Sequence, residues 1–445
     1  MTLRARLQGP LLWTLSVVTL LALMFGVARL VPEQPYLALL VAVVVLMLGL
    51  TLADPTVIPL LAMPVLLVVV RVSAGGIALS VSDVVLFVAF WPAVVLGGRP
   101  YTPPMRSLLW LTAVYQACTL FTVVANPFTA NAVEWFHAWF LTGGALIIGW
   151  ALGRAGRGAI ALTLLLVASC VIAVATIAQG VAHLPALDPV YPELPFSMHK
   201  NFAGTVLCFA ALVAYVNPPW MRWPRWLAIA AFALCTGGML FTQSRQAMVA
   251  LAVSVAVVVL RTDETRRRSK LLVLGGAGGL ALVATVVRDQ INSGNQFNSV
   301  FQRLTWFQDS LAVWGTDPWF GVGLRWWYTD RFPVSFQPPN AEIEVLTSAG
   351  AVGLVLFVVL AVVALRVAWR LDPVYGSVAL GVLVNRLTQA QFDLFWSAVQ
   401  ASVPFVVLGI CLGAQRYAEL RRGAPPAVVE GRVPGVAWVP RVGAP

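Results

Sequence analysis

Long apolar runs separated by short polar gaps repeat along the whole chain. A helix that crosses a membrane needs about 17–25 mostly apolar residues. About fourteen runs approach that length, beginning near Leu11, Tyr36, Val57, Asp83, Ser107, Ala132, Gly158, Phe202, Trp226, Gln246, Lys270, Val345, Val374 and Trp396. Several are short, so twelve spans with one re-entrant pair is an alternative count. In lipid only helices and closed barrels satisfy every backbone polar group, and runs of this length are helical. The pattern predicts an all-α polytopic membrane protein with about 12–14 transmembrane helices and one large extracytoplasmic loop.

The polar gaps set the orientation. Arg4 and Arg6 precede the first run, which puts the N-terminus inside. The even-numbered gaps then hold Arg99 with Arg106, Arg154 with Arg157, Arg222 with Arg225, the basic run 261–270, and Arg366 with Arg370, and the tail carries Arg416, Arg421 and Arg422. The odd gaps hold few basic residues, as the positive-inside bias requires of outer segments. The gap at Asp54 and Thr56 is weakly marked, so the register is least secure there. Two odd gaps are long: 181–201, rich in proline, and 288–344, with abundant Gly, Asn, Asp and Trp. The chain thus divides into N-terminal transmembrane helices (1–287), a large extracytoplasmic loop (288–344), C-terminal transmembrane helices (345–415) and a cytoplasmic tail (416–445) whose Pro/Gly/Ala/Val-rich end is expected to be disordered. Both termini are expected to be cytoplasmic, in the inner membrane. The basic residues at 1–10 resemble a signal peptide's lead, but without a clear small-residue cleavage site a retained first helix is expected.

Composition agrees. The 445 residues are 60% hydrophobic and 11% charged, with a mean hydropathy of +0.85. Lipid is the simplest solvent for so much apolar surface. The net charge of +11 would suggest nucleic acid in a soluble protein. Here it sits in gaps between spans, so nucleic acid is not expected as a partner, whereas membrane lipids are. The five cysteines lie inside apolar runs without CxxC spacing, which predicts neither a disulfide nor a metal site. The three histidines, His137, His183 and His199, are too scattered for a metal centre. There is no Walker, HExxH or GxSxG pattern, and Gly321-x-Gly323 lacks a phosphate-loop lysine.

The remaining chemistry lies in the outer gaps. His199, Lys200 and Asn201 stand where the first long gap opens a span. A helix N-terminus with cations beside it suits an anion; equally, Asn201 would cap the helix while Lys200 snorkels. Arg245 follows Ser244 in a very short outer gap, where an arginine is costly and usually has a partner or a task. Its planar fork suits phosphate; the alternative is a structural ion pair. In the large loop, Arg303, Trp306 and Ser310 have helical spacing, so Arg303 projects from a short interfacial helix, as a ligand for anions or as an ordinary solvated arginine. Trp306, Trp314, Trp319, Trp326 and Trp327 suit a segment folded at the interface and offer faces for sugar rings. Glu342 and Glu344 lie where the next span begins, either as carboxylates favoured by the helix dipole or as catalytic ones. Arg386 with Asp393, and Glu134 with His137, are spaced to pair within their helices, and a structural role is expected for both.

Taken in order, His199-Lys200-Asn201, Ser244-Arg245, Arg303 with Trp306, Pro318-x-x-Gly321-x-Gly323, Pro339-Asn340 and Gly350-x-x-Gly353-Leu354 resemble the motif series of the O-antigen ligase and polymerase family (the Wzy/WaaL-like superfamily). The likeness covers roughly 196–354. It implies metal-independent, cofactor-free glycosyl transfer on the outer leaflet, from a polyprenyl diphosphate-linked glycan to a lipid or glycan acceptor. Arg245, Arg303 and Lys200 would then bind the diphosphate, and Asn201, Trp306 and Trp319 the substrate. The chain departs from the family at one catalytic position: Pro339 stands where the family has a histidine thought to be the base. His199 and Glu342, with Asn340 beside them, are the replacements within this chain. The Arg303-to-Trp306 spacing is also tighter than the family's. Two other readings stay open, a lipid-linked glycan flippase or transporter and a non-catalytic glycan-binding member, the latter favoured by Pro339.

Overall fold

The computed structural model describes residues 35–74, 77–185, 188–261, 299–334, 340–393 and 398–423, with isolated positions between them. The expectations for residues 1–10, the runs near Leu11 and Lys270, the basic run beyond Arg261, Pro339 and the tail beyond 423 fall outside these residues.

The chain forms an all-α membrane-spanning bundle. Helices α1 (Pro35–Ala53), α2 (Val57–Val65), α3 (Val81–Leu96), α4 (Pro103–Ala125), α5 (Thr129–Trp139), α6 (Ala145–Arg154), α7 (Gly158–Ala182), α8 (Lys200–Val216), α9 (Arg225–Thr242), α10 (Arg245–Leu260), α11 (Ser299–Trp314), α12 (Ala341–Arg370), α13 (Pro373–Ala390) and α14 (Ala398–Gly423) follow in order. Every apolar run that lies within the described residues coincides with one of them. The runs are unequal, however. Six helices among the described residues are long and apolar enough to cross a membrane, and α1 and α2 form a further pair bent by 120° at Asp54. Helices α3, α8 and α10 are apolar but shorter. A re-entrant or broken span thus falls at the gap whose basic marking was weakest. One element escaped the hydropathy pattern: an antiparallel hairpin of β1 (Arg71–Ala74) and β2 (Ile77–Ser80), registered Arg71 to Ser80, joins α2 to α3. Ser80 and Asp83 then start α3 with a reciprocal capping box.

The centre of the bundle is α14 packed on α6, which continues α5 through a single π turn at Phe140–Gly144. Small residues permit this approach. Gly149 and Gly153 on α6 face Gly409 and Gly413 on α14, and a Cβ at any of them would strike backbone of the opposite helix. This is the close crossing that small-x-x-x-small spacing allows in lipid. Helix α8 is enclosed along most of its length, whereas α12 turns Val355, Val358 and Val362 outward. Lipid is the natural neighbour of those side chains.

The polar gaps gather at two ends. At one, Arg157 pairs with Asp54 at 3.3 Å, and hydrogen bonds from Thr56, with Arg157 nearby, hold the Asp54 carboxyl below the usual carboxylate range. There too, Trp150 donates its Nε1–H to the Gly98 carbonyl at 2.8 Å, and Arg261 donates to Ala368 and Trp369 carbonyls at the C-terminus of α12. These contacts draw together the even-numbered gaps. The other end joins odd-numbered gaps, and the candidate residues stand there.

Candidate functional site

Three chain segments converge on the short turn 391–393 between α13 and α14. From the large loop, Arg303 on α11 donates through Nη1 to the Phe392 carbonyl at 2.8 Å. From the start of α12, Asn340 donates through Nδ2 to the carbonyl and the side-chain oxygen of Gln391 at 3.3 and 3.4 Å. Gln391 in turn donates to Glu342 Oε1 at 2.6 Å. From the start of α10, Gln246 donates to Asp393 Oδ2 at 2.7 Å. Arg245 is the adjoining residue, exposed at the first position of α10. Ser244 before it is fully buried against Gly204 of α8.

Local rules explain how each residue is held. Asn340 caps α12, accepting the Ile343 N–H at 3.1 Å, and this sets Glu342 in the first turn, where the dipole favours a carboxylate. The second oxygen of Glu342 is buried and has no hydrogen-bond partner among the described residues. Helix α8 is capped by His199, not by Asn201 as its sequence suggested: Nδ1 of His199 accepts the Asn201 N–H at 3.3 Å. An accepting Nδ1 is unprotonated, so the neutral ring carries its proton on Nε2. Burial pushes the His199 pKa below its ordinary value; Asp393 opposes that shift and Lys200 adds to it. Lys200 lies over the Tyr191 ring at 5.8 Å, and the Asn201 carbonyl accepts from Thr205 at 2.9 Å. Thr205 also donates to Gln389, which donates to Asn385 at 2.6 Å. A buried polar ladder thus descends from the turn between α8 and α13.

The large loop is fastened by its own motifs. Helix α12 breaks at Gly350, whose φ is +68°. There the Ala351 and Val352 N–H groups donate to the carbonyls of Pro318 and Trp319, and the Val322 and Gly323 N–H groups donate to those of Thr347 and Ser348. The Pro318-x-x-Gly321-x-Gly323 motif therefore zips onto the Gly350-x-x-Gly353-Leu354 motif. Both Gly321 (φ +73°) and Gly350 need the left-handed region, and a Cβ on either would strike the other strand. Thr122 and Asn126 of α4 and its C-cap bind the same turn at the Phe320 and Gly321 carbonyls. Asn131 on α5 accepts the Leu324 N–H at 2.9 Å.

The structure does not bring every expected residue to the turn. Trp306 stacks on Phe336, with centroids 5.3 Å apart, and Trp326 and Trp327 form a small core with Val313 and Val322. Trp319 stays 67% exposed and uses its backbone in the zipper. Glu134 and His137 pair at 3.1 Å, inside a longer chain of charges: His137 also bonds Asp83 at 2.8 Å, and Arg325 from the loop pairs with Glu134. Arg386 is buried within electrostatic reach of both Asp393 and Glu344. Sequence reasoning missed the hub itself. Asp393 was expected only as a structural partner of Arg386, and Gln391 was not singled out; the available signal was two hydrogen-bonding side chains in a very short interruption between apolar runs. Among the described residues no cluster of three His, Cys, Asp or Glu side chains has the makings of a metal site.

Residues 230–358, 129 of the 445, match the family model described as O-Antigen ligase. No curated protein matches the chain. The matched segment holds Arg245, Arg303, both halves of the zipper, Asn340 and Glu342, while His199 and the 391–393 turn lie outside it. The chain is therefore an all-α, membrane-spanning protein whose residues 230–358 are O-antigen ligase-like.

Proposed function

We propose that the protein transfers a glycan from a polyprenyl diphosphate donor to a lipid or glycan acceptor at the outer side of the cytoplasmic membrane, without a metal ion. The observation that carries this reading is the convergence of Arg303, Asn340, Glu342 and the Gln246–Asp393 bond on one turn, with His199 in electrostatic reach of Asp393 and Arg245 next to Gln246 in the chain.

A lipid-held diphosphate needs cations at the membrane surface, and charge-assisted bonds from guanidinium are the strong ones. Arg303 spends one donor on a neutral carbonyl, a bond that a phosphate oxygen replaces at a gain. Arg245, at the positive end of α10, and Lys200, at that of α8, add two further cations and two helix dipoles of the same sign. His199 contributes its Nε2–H as a donor, since Nδ1 is committed to the cap. Glu342 serves as the base. One oxygen is anchored by Gln391, and the other, buried and without a hydrogen-bond partner among the described residues, is the one that takes the acceptor's proton in this reading.

In the step itself, the acceptor oxygen attacks the anomeric carbon and the bond from that carbon to the diphosphate oxygen breaks. The electron pair leaves with the diphosphate, where Arg245, Arg303 and Lys200 neutralise it, and the hydroxyl proton passes to Glu342. Arginines in this arrangement supply the charge that a metal supplies elsewhere. The decisive experiment measures glycan transfer in membranes with Arg245→Ala and Arg303→Ala at matched protein levels. Transfer is expected to vanish in both; full activity in both overturns the reading. Lipid-linked glycans that accumulate in a deletion strain then separate polymerase (single units) from ligase (long chains).

A further inference from the structure

The end of the bundle opposite the 391–393 turn contains a cavity of about 500 Å³. One wall is the start of α4 with Tyr101 and Thr102, and the other is the last turns of α14, with Leu371 between them. Two arginines, Arg106 and Arg416, line it against one acid, Glu419, which is already engaged by Arg416 at 3.0 Å and by Gln415 at 3.1 Å.

A polar group in the wall lacks its usual task. Thr102 is the N-cap of α4, but its hydroxyl makes no capping bond, and Oγ1 is buried without a hydrogen-bond partner among the described residues. Pro103 and Pro104 follow it and have no N–H to offer, so the charged donors of this wall are the arginines. The walls are braced. Tyr101 packs edge-on to Trp150 at 5.7 Å, and Gln415 accepts the Asp372 N–H at 3.2 Å. The rest of the lining is proline and leucine. Two arginines against a single acid select an anion, and a phosphate is the anion that lipid headgroups carry. Apolar walls at the ends of membrane-spanning helices, around a space several times larger than a phosphate ion, select one that carries a glycerol and acyl chains.

We infer that this cavity is a binding site for an anionic phospholipid, with Arg106 and Arg416 on the phosphate and Pro103, Pro104 and Leu412 against the glycerol end. The site is separate from the transfer site and stands whether or not that reading holds.

The test uses the full chain purified in a neutral detergent. Thermal unfolding is followed with added phosphatidylglycerol, phosphatidylcholine or inorganic phosphate, and bound lipid is counted by native mass spectrometry. Phosphatidylglycerol is expected to raise the midpoint and to remain bound, while phosphatidylcholine does neither. The Arg106→Ala/Arg416→Ala variant is expected to weaken phosphatidylglycerol binding by about 25-fold, a factor of about five for each basic residue at the surface. Arg366→Ala, an exposed arginine at the same end but outside the cavity, is expected to leave binding unchanged. Should the double variant aggregate, Arg106→Ala alone gives the same comparison. Equal effects of the two lipids, or an unweakened double variant, overturn the site. An equal effect of inorganic phosphate overturns the lipid and assigns the cavity to a free anion.

Discussion

Glu342 and Gln391 form the most sharply divided pair at the turn, because the bond between them uses one carboxylate oxygen and leaves the other buried without a hydrogen bond among the described residues. If that oxygen takes the acceptor's proton, Glu342→Gln, which keeps shape and loses basicity, is expected to lower transfer by about a hundredfold or more, within the usual range for general base catalysis. Gln391→Ala is expected to lower it less, and wild-type rates in Glu342→Gln would exclude the role. His199 gives a pH dependence whose sign follows from its cap. Burial holds its folded pKa below the ordinary value, so the ring is neutral at pH 7, and protonation removes the lone pair that accepts the Asn201 N–H. Below the unfolded pKa of about 6.5 the unfolded chain binds the proton more readily, so the stability this residue contributes is present above that pH and is lost as the pH falls. His199→Asn keeps a capping acceptor that does not titrate. Thermal melts from pH 8 to 5 are expected to fall more steeply at the acid end for the wild type than for this variant. Parallel curves would remove His199 from the account.

At the scale of elements, two close backbone approaches decide the architecture. The zipper between 318–323 and 347–352 replaces helix hydrogen bonds lost at Gly350 with bonds from the loop. Gly350→Ala places an L side chain in the left-handed region, at about 1–2 kcal/mol, and drives its Cβ into the Trp319 carbonyl. The expected outcome is a lower melting temperature and a protease-sensitive loop between α11 and α12, read by limited proteolysis of membrane vesicles. Unaltered cleavage would show that the zipper does not hold the loop. The α6–α14 crossing is the second approach. Gly409→Leu has no room against the Leu146 carbonyl and the Trp150 backbone. It is expected to abolish accumulation of the folded protein, whereas Gly237→Leu on α9, where a Cβ meets only Ile177, is expected to be tolerated. Similar yields for the two variants would separate the glycine spacing from the packing.

At the scale of the whole molecule, the two ends differ in chemistry. One gathers the arginines of the even gaps with Asp54 and the Arg106–Arg416 cavity. The other gathers the 391–393 turn, the zipper and the buried chain from Asp83 through His137 and Glu134 to Arg325. The positive-inside bias predicts that the first end is cytoplasmic. Single cysteines placed by Ser107→Cys and Asp330→Cys in a chain cleared of its own thiols test this in intact cells. A membrane-impermeant maleimide is expected to label position 330 and not 107. The reverse pattern would invert the protein and remove the donor from its reach.

What the residues determined alone is the class of the molecule and the succession of its helices. Hydropathy and charge act locally, each along about twenty residues, and lipid enforces them without reference to the rest of the fold. The helix around Arg303 and the pairing of Glu134 with His137 were legible for the same reason, since their partners lie within one or two turns, whereas the cap of α8 fell to His199 and not to the expected Asn201. Only the tertiary structure decided that Arg303, Gln246, Asn340 and Glu342 share a turn made by Gln391, Phe392 and Asp393, because those contacts join positions far apart in the chain. The same is true of the two glycine motifs, which read as separate signals and are the halves of one backbone ladder. The stacking of Trp306 on Phe336 belongs here too, since a tryptophan's composition and spacing do not reveal whether its face meets a sugar or another ring.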